Sequence, residues 1–398
     1  MHDVVIADYL RTAQSRSRPS APEKDWFHQL RADELLSRLL PEILRRSGVS
    51  PTEIDDLIVG SALGVSEQWT FGGRTPVFLA GLADSVAAKF VDQQCGSGLA
   101  AIQVGYMEIA TGCADIALAC GMEHMTRVPM GPTLFASGAM SVNPDLYSDP
   151  RFQVWDMPTT MNMGLTAEKL AAQAGITREE MDLWAVGSHT RAATAADAGF
   201  FAGEILPVAA PQADGSTITI DRDQAVRPET DYRGTAALKP VFQQDGSITA
   251  GNSSPLSAGA AAMLLMGKDQ ADQRGLNPLA TIRAVGIAGV DPTLMGKGPV
   301  PAVRRALKQA GLTTEDIDVW EINEAFSVVV LNCMRELAIA PERINIHGGG
   351  IALGHPLGAT GVRLTGTLAR ILAEQRGRYG CATACIGGGQ GIAIVIER

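Results

Sequence analysis

The residues able to do chemistry in this 398-residue chain fall into three short glycine-rich strings. Val91-Asp92-Gln93-Gln94-Cys95-Gly96-Ser97-Gly98-Leu99 reads as a strand end, a turn and a helix running to about Thr111. A thiol at a helix start faces unpaired N–H groups and the positive end of the dipole, which stabilises thiolate. Gly96 and Gly98 leave room for a bulky group beside the sulfur. A lone cysteine where helix meets sheet is more often a small core residue, so Cys95 needs partners. Gly354-His355-Pro356-Leu357-Gly358-Ala359-Thr360-Gly361 sets one histidine on a stiff turn. An imidazole beside a thiol can take its proton, because its pKa lies near the working pH. Cys385-Ile386-Gly387-Gly388-Gly389-Gln390-Gly391 ends a strand in a second thiol, followed by bare backbone N–H groups able to hold a developing oxyanion. A thiol in that setting can move a proton to or from carbon. Cys381, Cys113, Cys120 and Cys333 lack such surroundings and are expected in the core.

These strings are placed by a sequence that repeats itself. Gly48-Val49-Ser50-Pro51-Thr52-Glu53-Ile54-Asp55 is matched 263 residues later by Gly311-Leu312-Thr313-Thr314-Glu315-Asp316-Ile317-Asp318. In each, an apolar-periodic helix runs to a glycine, a Ser or Thr caps a short turn, and a strand follows: Leu57-Ile58-Val59 or Val319-Trp320-Glu321-Ile322. The same offset carries Cys95-Gly96-Ser97-Gly98 onto Gly358-Ala359-Thr360-Gly361, so His355 lies just before the counterpart of the Cys95 helix. Shifted by two more residues, Ala117-Leu118-Ala119-Cys120 meets Ala382-Thr383-Ala384-Cys385. Two strand–helix halves, about 1–125 and 270–398, are expected to pack about a pseudo-twofold axis, bringing the two helix starts together. Between them, 126–250 opens with a loop rich in Pro, Gly, Ser and Met from Pro129 to Pro158. A helical stretch over Thr166–Ala198 follows, with a start at Thr177-Arg178-Glu179-Glu180, and then polar turns at Asp214-Gly215-Ser216 and Asp245-Gly246-Ser247. This insertion is placed to lie over the site as a binding lid.

Composition narrows the function. A net charge of −10 argues against nucleic acid or an anionic membrane surface, both of which need a basic face. An anionic ligand must find local positive charge or helix N-termini. No charged-then-apolar leader opens the chain, and the longest small apolar stretch, Ala258 to Met266, is too short to span a bilayer. Six cysteines without a CxxC pair fit a reducing cytoplasm.

Gln94-Cys95-Gly96-Ser97-Gly98, Asn323-Glu324-Ala325-Phe326, the Gly354–Gly361 string and Cys385-Ile386-Gly387-Gly388-Gly389 resemble the four active-site blocks of the thiolase family, in the family's order. The resemblance covers nearly the whole chain. It implies an α/β thiolase fold: duplicated βαβαβαββ halves in a five-layer αβαβα sandwich with an inserted loop domain. Residues 1–125, completed by about 251–269, would form one half; 126–250 the loop domain binding coenzyme A (CoA); 270–398 the other half. The implied roles are Cys95 as the acylated nucleophile, His355 as its base and Cys385 as acid/base at the α-carbon. Asn323, through a water, and His355 would hold the enolate oxygen; the N–H groups of Cys95 and Gly387 would hold the other oxyanion. Met163, Arg227 and Ser254 resemble CoA contacts, and Phe326 would line the pantetheine channel.

The resemblance thus implies thiolysis of 3-ketoacyl-CoA, or the reverse Claisen condensation, in fatty acid metabolism. CoA is then a substrate, with no permanent cofactor or metal, in a cytoplasmic homodimer or homotetramer. Asp92, His347 and Ala258 depart from the family's usual Asn, Asn and Asp. Asn162 stands where short-chain biosynthetic members commonly carry His, which tilts the reading towards a degradative enzyme with a longer or unusual acyl chain over an acetoacetyl-CoA-forming one. A decarboxylating ketoacyl synthase lacks a second active thiol, and an inactive acyl-CoA binder would not need the Cys/Asn/His/Cys set. A metal site from Cys95, His347, His355 and Cys385 lacks the spacing of a zinc ligand set.

Overall fold

The computed structural model describes every residue except Met1, Pro129, Ser137 and Ala139, so the first residue of the chain and the first of the Pro129–Pro158 loop lie outside the described residues. The first half contains β1 (Val4–Arg11), α1 (Ala32–Ser47), β2 (Asp56–Gly60), β3 (Ala87–Val91), α2 (Ser97–Thr111) and β4 (Ile116–His124). The helical stretch of the insertion is two helices, α3 (Met163–Ala174) and α4 (Arg178–Asp197). After them come β5 (Ser257–Gly267), β6 (Ala280–Gly289), α5 (Pro299–Ala310), β7 (Val319–Ile322), α6 (Ser327–Glu336), α7 (Leu357–Gln375), β8 (Tyr379–Ile386) and β9 (Gln390–Glu397).

Local chemistry sets the boundaries. Helices α1 and α5 stop at Gly48 and Gly311, where φ reaches +67° and +71°, a conformation glycine adopts without a Cβ clash. Gly175 does the same for α3 at φ +58°. Helix α4 starts as its sequence predicts: the Thr177 hydroxyl accepts from the Glu180 N–H, and the Glu180 carboxylate reaches back to the Thr177 N–H.

The strands form one long sheet in the order β7-β8-β9-β6-β1-β5-β4-β2-β3, with the two-residue strand Ser15–Arg16 attached to β5. Strands β2 and β7 are buried along their whole length, as strands of a covered parallel pair must be. The halves meet where β1 pairs with β6 over three residue pairs centred on Val5 and Thr281. Strand β2 pairs in parallel with β4, placing Leu57 opposite Leu118; β7 pairs in parallel with β8, placing Trp320 opposite Cys381. Both pairs keep the 263-residue offset, which corrects the two-residue shift expected between the last strands. Runs of Ala and Cys carry too little shape to fix a register by eye, whereas the ladder does so by hydrogen bonds.

Three apolar clusters hold five layers of structure together, one of them filling both faces of the central layer. Leu36, Leu40 and Ile43 of α1 pack on Leu57, Val59 and Leu264, closing the outer face of the first half-sheet. Val303 and Ala306 of α5, with Val329 of α6, close the outer face of the second against Trp320 and Val395. Between the half-sheets lie α2 and α7, whose Leu99, Ile102, Val362 and Leu368 pack against Ile58 and Ala119 on one side and Ile392 and Ile394 on the other. This is the αβαβα sandwich. Cys120, Cys333 and Cys381 are in the core as expected, but Cys113 is exposed. It follows Gly112, the αL residue that ends α2, and so falls in the surface turn rather than on the strand.

Candidate active site

The starts of α2 and α7 touch because glycine allows it. A Cβ on Gly98 would lie 2.4 Å from the Gly358 carbonyl oxygen, and one on Gly361 would lie 2.2 Å from the Leu99 nitrogen. A Cβ on Gly121 would lie 2.0 Å from the same Gly358 oxygen. At this contact the two halves place their chemical strings side by side.

Cys95 stands on a tight elbow. Gln94 takes φ +49°, a left-handed conformation that costs a non-glycine residue on the order of 1 kcal/mol. Asp92 Oδ1 accepts the Gln94 N–H at 2.9 Å, and Ser97 Oγ accepts the Gln93 N–H at 2.9 Å while donating to the Gln94 carbonyl at 2.7 Å. Asp92 thus braces the turn through an acceptor oxygen that the family's usual Asn would also offer. The half-buried Cys95 packs beside Ala62, Met125 and Leu357. Burial pushes its thiol up to about 11, although the Gly387 N–H and its own N–H bear on the sulfur and pull the other way. The backbone N–H groups stabilise the thiolate as the sequence suggests, but loss of hydration outweighs them, so the helix start alone does not produce a resting thiolate.

His355 is buried and held at three points. Its backbone N–H donates to Ser257 Oγ at 3.0 Å, its Nδ1 meets Thr360 Oγ1 at 2.7 Å, and its Nε2 meets Asn323 Nδ2 at 3.2 Å. The Thr360 hydroxyl donates to the Pro356 carbonyl at 2.9 Å, so it accepts from Nδ1–H. That tautomer makes Nε2 the acceptor, its lone pair facing the amide donor of Asn323. Thr360 is the counterpart of Ser97 at the 263-residue offset, and both hydroxyls brace the turn in front of their helix. Burial, with Arg363 nearby, pushes the imidazole down to about 3, so it rests neutral.

Cys385 lies buried at the end of β8, close enough to Cys95 that charge on one sulfur raises the pKa of the other. Ile386 packs where a Gly96 side chain would be: a Cβ there would lie 2.5 Å from its Cδ1. Gly387 follows, beside Gln94 and the Met163 sulfur. Asn323 is fully buried, and its Oδ1 has no protein partner. A buried amide oxygen without a donor marks a place for a water or a ligand atom.

A buried carboxylate that the sequence did not single out ties the start of α7 to the segment that follows β2. Glu123 at the end of β4 accepts from Ala62 N at 2.9 Å, Gly358 N at 3.0 Å, Ser61 Oγ at 3.1 Å and Gln68 Nε2 at 2.6 Å. Burial pushes its carboxyl up to about 7 against the pull of those four donors.

Beside this centre opens a cleft of about 270 Å³ lined by Arg16, His189, Arg227, Ser253, Pro255 and Ile351 among others. Arg16, pushed down to about 10 by burial and by its arginine neighbours, and Arg227 give the acidic chain its local positive charge. His189 Nδ1 accepts the Arg227 backbone N–H at 3.2 Å. The cleft adjoins the His355 turn: Ser257 Oγ donates to the carbonyl of the lining residue Pro255 at 2.8 Å and accepts the His355 N–H. Of the expected CoA contacts, Arg227 lines the cleft. Ser254 lies next to the lining residue Ser253 and donates its N–H to Ala325. Met163 and Phe326 lie outside the lining; Met163 is at Gly387, and Phe326 stacks edge-on with Phe242 at 6.1 Å. Nothing local in their strings marks Arg16 and His189, because the cleft is assembled from five separate segments.

The remaining departures have structural places. Asn162 caps α3 by accepting from Gly164 N and Leu165 N. His347 pairs with Glu374 at 2.6 Å over the Phe200 ring, and among the described residues no group of three or more His, Cys, Asp or Glu is placed to hold a metal. Ala258 is buried in β5, opposite His124.

Comparison with known proteins agrees with this geometry across the chain. Residues 4–269 match the thiolase N-terminal domain and residues 276–398 the thiolase C-terminal domain. A 3-ketoacyl-CoA thiolase of Vibrio vulnificus is 43% identical over 403 residues, covering 100% of both chains. One of Erwinia tasmaniensis is 42% identical with the same coverage. The crystal structure of a Bacillus anthracis acetyl-CoA acetyltransferase superposes with a TM-score of 0.88 at 35% identity, covering 100% of this chain and 99% of that one. Two half-sheets, two glycine-bared helix starts, a thiol on each side of them and family domains spanning both halves lead to one assignment: the chain belongs to the thiolase family.

Proposed function

We propose that the enzyme cleaves 3-ketoacyl-CoA with CoA into acetyl-CoA and a shortened acyl-CoA, or runs the reverse condensation, through an acyl thioester on Cys95. The observation that carries this reading is the meeting of the Cys95 elbow with the His355 turn, with a second thiol, Cys385, alongside. In the cleavage direction His355 Nε2 takes the Cys95 proton as the sulfur bonds to the keto carbon. The oxyanion forms against the N–H groups of Cys95 and Gly387. When the carbon–carbon bond breaks, its electron pair moves into the acetyl thioester as an enolate, whose oxygen faces His355 and a water on Asn323. Cys385 gives its proton to that carbon, and the thiolate left behind takes the proton of incoming CoA. The CoA sulfur then displaces Cys95 as a thiolate, which takes back its proton from His355. Preorganised donors of this kind are worth on the order of a hundredfold each in rate.

Residues 126–250 act as the CoA-binding loop domain, with Arg16 and Arg227 meeting the ligand's phosphates and the halves 1–125 and 270–398 supplying the chemistry. The names of the Vibrio and Erwinia relatives support a 3-ketoacyl-CoA substrate. Asn162, where short-chain biosynthetic members of the family commonly carry His, tilts the reading towards a longer or unusual acyl chain and a place in fatty acid degradation. A homodimer or homotetramer is supported by the half-exposed edge strand β3 and by exposed Trp69, Phe71, Phe78 and Leu79 nearby. A cytoplasmic place accords with six free cysteines and with the lack, among the described residues, of a helix long and apolar enough to cross a membrane. Kinetics over a panel of 3-ketoacyl-CoA lengths tests the substrate: turnover rising with chain length supports the degradative reading, and activity confined to acetoacetyl-CoA overturns it.

A further inference from the structure

We propose that Glu324 is a positioning residue: its carboxylate locks the Asn323–His355 pair to helix α4, so that the seat of the CoA thioester and the groups facing its enolate form one rigid unit. The inference rests on the function proposed above for the roles of Asn323 and His355. Glu324 is fully buried. Oε1 accepts from Trp184 Nε1 at 3.0 Å and Asn345 Nδ2 at 2.8 Å; Oε2 accepts from Ser188 Oγ at 2.6 Å and Ile351 N at 3.2 Å. All four donors are neutral. Taking a carboxylate out of water costs several kcal/mol, and a packed apolar side chain would fill the same space without that cost. What the carboxylate adds is direction: four charge-assisted bonds from three separate segments converge on one rigid group.

Each donor leads to a part of the proposed site. Asn345, at φ +47°, brackets the residue before Asn323: its Oδ1 accepts Ile322 N at 2.8 Å and its Nδ2 also donates to the Ile322 carbonyl at 2.9 Å. Ile351 lines the cleft and stands in the short helix Gly350–Leu353, directly before the His355 turn. Ser188 accepts the Gly349 N–H at 3.1 Å, and Gly349 must be bare because a Cβ there would lie 2.3 Å from the Glu324 carboxyl carbon. Trp184 and Ser188 sit on α4 beside His189, which holds the Arg227 backbone in the cleft wall. The circuit closes through Arg191, whose guanidinium covers the Trp184 ring at 4.9 Å and whose Nε donates to the Asn345 carbonyl at 2.9 Å. Movement of α4 relative to the sheet would therefore drag on Asn323 from one side and on His355 from the other.

A double-mutant cycle in the intact enzyme tests this, with kcat and the KM for CoA measured in 3-ketoacyl-CoA thiolysis for Glu324→Gln, Asn323→Ala and the pair. Gln keeps the shape but sets an amide donor against two of the donors. Glu324→Gln is expected to lower kcat about ten- to a hundredfold and to raise the KM for CoA. In the Asn323→Ala background the same change should cost clearly less, because one of the two groups it positions is gone. Equal losses in both backgrounds, or an unchanged kcat, overturn the proposal. If Glu324→Gln does not fold, Trp184→Phe and Ser188→Ala each remove one donor and enter the same cycle. Failure of the wild-type enzyme to acylate Cys95 would instead sink the function on which this rests.

Discussion

Asn323 Nδ2 lies 3.2 Å from His355 Nε2 while Thr360 Oγ1 holds the opposite ring nitrogen at 2.7 Å. The imidazole is thus set in one tautomer, with its lone pair turned towards the side where Asn323 keeps an unpartnered buried oxygen. Thr360→Val removes the hydroxyl and keeps the volume. It is expected to lower kcat about ten- to a hundredfold by letting the ring change tautomer or turn, as partners that orient a catalytic histidine typically do. Steady-state kinetics checks this, and an unchanged kcat would show that the ring needs no such brace.

Cys385 and Cys95 are assigned different steps. Cys385→Ala is expected to leave transfer of an acetyl group to Cys95 intact and to abolish thiolysis and condensation, because the enolate carbon has no other proton donor whereas the CoA thiolate released on acylation leaves without one. Intact-mass measurement paired with steady-state assays separates the two. Loss of acylation with condensation spared would reverse the assignment.

The contact between α2 and α7 depends on absent side chains. Gly121→Ala would bring a Cβ to 2.0 Å from the Gly358 backbone oxygen, so it should lose more than about 2 kcal/mol of stability or shift the elbow and lose activity. Gly289→Ala, with nothing within 4 Å of the added atom, should change the melting temperature by little. Thermal unfolding of the two variants decides this, and equal behaviour would deny the tight approach.

With the Cys95 thiol raised to about 11 and the His355 imidazole lowered to about 3, both rest neutral across the physiological range. Alkylation of Cys95 by iodoacetamide should rise about tenfold per pH unit from about pH 7 to pH 10, with no plateau. A plateau below about pH 8 would mean a preformed thiolate–imidazolium pair. The stability sign follows separately. As pH falls below about 6.5 the unfolded chain binds a proton at this histidine, whereas the folded chain does so only near 3, so stability drops over that window.

Much of the fold was legible because the duplicated halves carry the same punctuation: Gly48 and Gly311 end equivalent helices, and Ser97 and Thr360 brace equivalent turns. The last strands were misaligned by two residues, since Ala-rich runs look alike at several registers and only the ladder from Leu57 to Leu118 and Trp320 to Cys381 fixes them. Cys113 was misplaced for a local reason, its position one residue past a helix-ending glycine. The strings around Cys95, Cys385 and His355 could be singled out because bare glycine backbone stands beside each. Arg16, His189 and Glu123, which the structure adds to their surroundings, could not, since their partners lie far away in sequence.

The central claim is the acyl thioester on Cys95, and its most direct test is intact-protein mass after incubation with acetyl-CoA, compared with Cys95→Ala. The account predicts that the wild-type chain gains the mass of one acetyl group, mapped to Cys95 by peptide analysis, and that the variant gains none. A wild-type chain that turns over 3-ketoacyl-CoA while carrying no adduct, or one acetylated elsewhere, would contradict it.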